Sequence, residues 1–246
     1  MTLVFLLAAS VAAALPDPTP QLVPSEAARI LSELAPADAD RAKVLKAVES
    51  HLTDDVRCLP PPQLVLERPL PPGAERPRGS IEYLPWVRGF YDYALFTDPQ
   101  GRTTVSVKIY FMDERERPLS ASALQEISSK LETASSYWTV HAPEAMGSRL
   151  RFRFEAVTQR PQAYFSVRLT PKDVRSLYYW RWSAGITPES AAHEIGHMMG
   201  LNDEYDIVRN RSIRCPEGSL MCESATGKPY PYHYYMILRR ALCSPR

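Results

Sequence analysis

Residues 187–200 read TPESAAHEIGHMMG, and this stretch restricts the fold more than any other in the chain. Thr187 can cap a helix, and Pro188 suits its first position, where a backbone N–H would have no partner. The pattern stops at Gly200. Ala192, Ile195 and Met199 on one side, with Ala191 and Met198 beside them, make the helix apolar nearly all round. Such a helix belongs inside a core, with only its histidine face open.

His193 and His197 are four residues apart, so on a helix their rings project from one face within reach of a single metal ion. Glu194 follows the first histidine directly, where a carboxylate can reach a metal-bound water without joining the ligands, the placement a general base needs. A helix with two hydrogen-bonded histidines is the simpler alternative for a bare HExxH. Gly200 allows a sharp turn at the helix end, so that the following residues fold back beneath the metal. Only His51, His141 and His233 remain as histidines, all distant in sequence, so a carboxylate after Gly200 is the expected third ligand. Asp203 and Glu204 compete for that place. The spacing favours Asp203, and because consecutive side chains diverge, Glu204 is expected to turn away to a hydrogen bond that steadies the loop. SLMC at 219–222 is a candidate tight turn carrying Met221.

The string HExxHxxGxxD with a later methionine turn resembles the metzincin clan of zinc endopeptidases, on His193, Glu194, His197, Gly200, Asp203 and Met221. The aspartate form is similar to that of the snapalysins, and GLNDEY looks like the segment after the zinc helix in some bacterial metallopeptidase toxins. The resemblance implies an α+β fold, with a twisted mixed sheet, a backing helix, and the active-site helix above a small irregular C-terminal subdomain. It implies Zn2+ held by His193, His197 and Asp203, with Met221 packed beneath the histidines. It also implies peptide-bond hydrolysis, with zinc polarising the scissile carbonyl and Glu194 shuttling the proton. Glu223 stands where some members of the clan place a tyrosine ligand.

The rest of the chain frames this motif. Its 246 residues are 45% hydrophobic and 23% charged, enough for one medium domain with additional N-terminal material. With 29 basic against 28 acidic residues, neither a nucleic-acid partner nor a polybasic membrane anchor is expected. An apolar run from Leu3 to Leu15, closing on Ala12-Ala13-Ala14, reads as a signal peptide over residues 1–14, too short to span a bilayer. Export suits the even set Cys58, Cys215, Cys222 and Cys243, for which disulfides in any of three pairings are expected. Val56-Arg57-Cys58-Leu59-Pro60 is loosely similar to the cysteine switch of matrix metalloproteinases.

Residues 15–79 read as an N-terminal helical and proline-rich segment that could be removed as a propeptide. One helix is capped by Ser25 and another begins near Asp40; then seven prolines between Pro60 and Pro77 predict an extended linker that is neither helix nor central strand. The catalytic domain is placed at 80–246. Its pattern is β-β-α-β-β before the motif helix: a hairpin about Asp98–Gly101, a helix capped by the Ser122–Gln125 box, and strands LRFRFEAV and AYFSVRLT. YYWRW at 178–182 could line a substrate subsite, one of Tyr230, Tyr232, Tyr234 and Tyr235 could support an oxyanion, and Asn210-Arg211-Ser212 fits a glycosylation sequon. The expected partner is a protein or peptide substrate, met by a secreted monomer. The competing readings are a non-catalytic zinc-bound interaction or toxin-like module, and a zinc amidase acting on cell-wall peptides.

Overall fold

A computed structural model of the protein describes residues 21–52, 58–84, 87–171, 180–205 and 215–243. The expected signal peptide and the sequon lie outside these residues. The fold is α+β, built on a six-stranded mixed sheet. The chain opens with two helices packed against each other, α1 (Pro24–Glu33) and α2 (Arg41–Leu52). Pro24 starts α1, and Val23, not Ser25, holds the cap position. Asp40 Oδ1 accepts the N–H groups of Ala42 and Lys43 and so caps α2.

The proline-rich stretch departs from expectation. It contains a short helix, α3 (Pro62–Leu66), because Pro61 and Pro62 occupy the cap and first positions, where no N–H is needed. Leu59, Val65, Leu66 and Leu70 are buried in the common core, so this stretch packs against the domain. Strand β1 (Gly73–Glu75) then joins the main sheet at its edge, where a short strand can lie beside prolines. Strands β2 (Arg78–Leu84) and β3 (Val87–Asp92) form a separate antiparallel pair that runs across the position chosen for the domain boundary.

In the main sheet, β4 (Ala94–Thr97) and β5 (Thr103–Met112) make the expected hairpin. Asp98 Oδ1 accepts the N–H groups of Gln100 and Arg102, and Gly101 takes a left-handed φ of 75° to complete the turn. Val105, Val107, Ile109 and Phe111 alternate into the core along β5, as the period of two requires. Two strands run parallel to β5 on opposite sides: β6 (Leu150–Val157), and β7 (Phe165–Thr170), which pairs in turn with β8 (Arg181–Ser183).

The backing helix α4 (Ala121–Val140) begins two residues earlier than the capping box suggested. Ser120 is its cap and accepts the Ala123 N–H, while Ser122 only meets the Ser120 hydroxyl. Ile127, Leu131, Ala134 and Trp138 form its buried face. α4 also closes the outer edge of β6, since Ser135 Oγ and Thr139 Oγ1 accept the backbone N–H groups of Phe154 (2.8 Å) and Phe152 (3.1 Å). An edge strand is thereby satisfied by helix side chains in place of another strand.

The motif helix α5 (Pro188–Met198) is capped by Thr187, as its sequence dictates, and is tied to α4 by Trp138 Nε1–H donating to Ala192 O at 3.0 Å. The chain closes with α6 (Pro231–Leu238) and α7 (Arg240–Cys243), and disulfides join Cys58 to Cys243 and Cys215 to Cys222. Among the described residues no helix is long and apolar enough to cross a membrane. The β6 edge yields a first prediction. Ser135→Ala leaves the buried Phe154 N–H without a partner and should cost about 1–3 kcal/mol, read from urea denaturation; a loss below about 0.3 kcal/mol would show that the helix does not seal this edge.

Candidate metal centre

α5 sets the His193 and His197 rings 4.9 Å apart and perpendicular. Both are buried, so each needs a hydrogen-bond partner. His193 Nδ1 lies 2.7 Å from Leu220 O, and His197 Nδ1 lies 2.8 Å from Leu201 O. A carbonyl oxygen can only accept. Each Nδ1 therefore carries the hydrogen, and in the neutral ring each Nε2 presents a lone pair to the space between them. Asp203 Oδ1 stands 3.2 Å from one Nε2 and 3.3 Å from the other, on a side chain 5% exposed. Although these distances are short, neither carboxylate oxygen of Asp203 receives an aligned hydrogen bond. The three ligand atoms thus converge on a shared point more than on one another. Two imidazole nitrogens and one carboxylate oxygen, buried together, could hold a metal ion.

Local structure enforces this convergence. Gly200 adopts φ 86°, which reverses the chain after α5 and swings Leu201 O back onto His197. A Cβ at Gly200 would also meet the Arg240 guanidinium at 2.7 Å. That guanidinium lies 4.1 Å over the Tyr91 ring and donates to Met199 O (2.8 Å), placing a positive charge at the helix C-terminus. The other carbonyl comes from the Ser219–Cys222 turn, closed by Cys222 N–H donating to Ser219 O. Met221 sits fully buried under α5, so close that a Cβ on Gly196 would fall 2.6 Å from its Sδ. Glu223 serves the same region from another angle, accepting the Gly218 N–H and the Thr226 hydroxyl.

Glu204 turns away from the histidine pair, as the divergence of neighbouring side chains requires, into a second buried group. Its Oε1 lies 2.6 Å from Tyr232 OH, 2.8 Å from His233 Nε2 and 3.0 Å from His51 Nε2. Distance alone would admit a metal here too. The tautomers point the other way. His51 Nδ1 accepts the Asn202 backbone N–H, and His233 Nδ1 accepts the Tyr230 backbone N–H, so both rings carry hydrogen on Nε2 and direct it at Glu204. No nitrogen lone pair faces the centre of this group. Nothing in the sequence linked His51 or His233 to residue 204; a histidine on the buried face of α2 was the only available signal.

The remaining candidates divide by what they touch. Tyr230, Tyr232, Tyr234 and Tyr235 donate their hydroxyls to Glu217 O, Glu204, Trp138 O and Pro60 O, so all four hydroxyl hydrogens are engaged away from an oxyanion. Of YYWRW, residues 178 and 179 lie outside the described residues, Trp182 is core beside Phe111, and Trp180 borders an open groove with Phe90 and Tyr164. Glu194 is half-buried, with Oε2 shut off from solvent and unpaired. Burial pushes its carboxyl pKa up, against the pull of His193 and His197. Burial also opposes the charges on Asp203 and His193, but each holds the other ionised: the histidines keep the Asp203 carboxyl well below its ordinary range, and Asp203 pushes His193 up to about 9.

The sequence matches no protein-family model, no curated protein and no solved structure. A metal at this site must displace the proton that His193 binds below about pH 9. Zinc affinity should therefore fall about tenfold per pH unit as the pH drops from 9 towards 7. The metal-free chain should do the reverse. A raised imidazole pKa contributes stability in full below the ordinary value of 6.5 and loses it as the pH rises through about 9. Thermal melts across this window should show the metal-free chain losing stability as the pH rises while the zinc-saturated chain stays level, because the gain in zinc affinity offsets that loss; parallel curves would show that His193 does not titrate against the metal.

Proposed function

We propose that the protein is a secreted zinc-dependent endopeptidase of metzincin type. The observation that carries this reading is the buried triad His193, His197 and Asp203, with both imidazole tautomers set by backbone carbonyls and Glu194 beside it on the same helix. The mixed sheet, the backing helix α4, the motif helix α5 and the irregular segment leading to α6 fit such a peptidase. The methionine beneath α5 fits it as well. Two disulfides are compatible with an extracellular setting.

His193, His197 and Asp203 would hold the zinc. When bound, the ion would supply Lewis-acid polarisation of the scissile carbonyl and bring the pKa of water towards neutrality. Glu194 then does the proton work. Its buried, unpaired oxygen has no competing donor to displace, and its raised pKa favours taking a proton from the attacking water and returning it to the leaving amine. The carbonyls of Leu220 and Leu201 keep both rings from rotating, and Asp203 supplies the negative charge that offsets the cation.

Glu194→Gln should keep one zinc per chain and the fold, while casein hydrolysis falls by about 10²- to 10⁴-fold. Asp203→Ala should lose zinc and hydrolysis together. Zinc content by mass spectrometry and casein zymography measure both, with a cell-wall release assay run alongside. Near-normal turnover in Glu194→Gln would remove the glutamate from the mechanism, and release of wall peptides without casein cleavage would redirect the reading to an amidase.

A further inference from the structure

α2 belongs to the N-terminal helical segment, yet its last turn reaches the metal loop. The buried His51 accepts the Asn202 backbone N–H on Nδ1 at 3.1 Å and donates from Nε2 to Glu204 Oε1 at 3.0 Å. Asn202 and Glu204 are the two residues that flank Asp203. A single imidazole therefore grips the chain on both sides of the candidate third ligand. Asn202 Nδ2 returns a further bond to Ser50 O at 3.3 Å, again on α2. Glu204 is held in addition by Tyr232, His233 and its own N–H to Met221 O.

We propose that His51 is a positioning residue of the metal centre, and that the helical unit of residues 24–52 is a working part of that centre, not a removable leader. The inference rests on the reading of His193, His197 and Asp203 as a metal site, but not on peptidase activity. Asp203 meets the two histidines at 3.2 and 3.3 Å without an aligned hydrogen bond, so its direction depends also on how its chain neighbours are held. With Glu204 fastened on one side, Asp203 must face the other, towards the histidines. The segment after α2 is anchored as well: Cys58 is bonded to Cys243, Arg239 donates to Cys58 O at 2.7 Å, and Tyr235 donates to Pro60 O. Removing a group that orients a ligand typically weakens metal binding by about 10- to 100-fold.

The test measures zinc binding to the full chain by competition with a chromogenic chelator, with folding checked by circular dichroism. The wild type should bind one zinc. His51→Ala should still bind one, about 10- to 100-fold more weakly. His51→Gln, whose amide can donate to Glu204 and accept from Asn202, should recover most of that loss. Ser135→Ala, which destabilises the fold at the β6 edge without touching the clamp, should leave the affinity unchanged. Because coupling is reciprocal, zinc should slow amide exchange across α2 in the wild type, a readout that holds even if His51→Ala fails to fold. A folded His51→Ala with wild-type affinity overturns the proposal, as does α2 exchange indifferent to zinc. Two zinc ions per wild-type chain, one of them lost in His51→Ala, would make the Glu204 group a second metal site instead. A wild type that takes up no zinc at all would remove the metal reading itself.

Discussion

Two Nδ1–H groups committed to backbone carbonyls explain most of what surrounds the buried end of α5. A buried imidazole without a partner is costly. Each ring of the pair finds its acceptor outside the helix face it occupies. To deliver Leu201 O to His197, the chain must reverse within a few residues, and Gly200 at φ 86° permits it. To deliver Leu220 O to His193, a second turn must lie flush beneath α5, and Gly196 leaves room for Met221 there. Arg240 then answers the helix carbonyls that the reversal exposes. The glycines, the methionine turn and the C-terminal arginine are thus consequences of holding two rings still.

The adjacent carboxylates Asp203 and Glu204 show two solutions to one electrostatic problem. A buried charge costs several kcal/mol unless something compensates it. Glu204 is compensated within the protein, by a hydroxyl and two imidazole N–H donors, and these partners hold its pKa low despite burial. Asp203 has only the two histidines, and they meet it without aligned hydrogen bonds. Protonating His193 offsets that charge in the absence of a cation. The contrast distinguishes a carboxylate whose Oε1 collects three donors, its Oε2 remaining unpaired, from one that meets two imidazoles without an aligned hydrogen bond, although both groups lie within similar distances.

What could be read from the sequence was local. The cap and proline at the start of α5, the histidine spacing, the turn at Gly200 and the divergence of Asp203 from Glu204 each depend on residues within about one helical turn of one another. The strand alternation of β5 and the buried face of α4 were legible for the same reason. The cap of α4 was misplaced because Ser120 and Ser122 offer equivalent hydroxyls and only tertiary packing fixes the start. The prolines of residues 60–77 looked like a linker because local propensity omits the core that buries Leu59, Val65 and Leu66. His51 was illegible in principle: it lies 153 positions from Glu204, and no local pattern encodes such a contact.

That long contact changes the meaning of the N-terminal cysteine. Cys58 looked loosely like a thiolate that caps a metal, but its sulfur is bonded to Cys243, 185 residues away, and has no charge to offer one. A bridge across so long a loop restricts the unfolded chain, by about 5 kcal/mol in the chain-entropy picture. Here it also closes a clasp. Tyr235 and Arg239 donate to the backbone at Pro60 and Cys58, while Tyr93 OH donates to Ile237 O. The Cys58–Pro60 segment is thus held by Tyr235 of α6 and by Arg239, its C-cap residue, and α6 is the element that supplies Tyr232 and His233 to Glu204. His51 therefore enters a site whose far wall is already tethered to its own segment, and the loss of freedom needed to seat it is shared with contacts that the fold makes in any case.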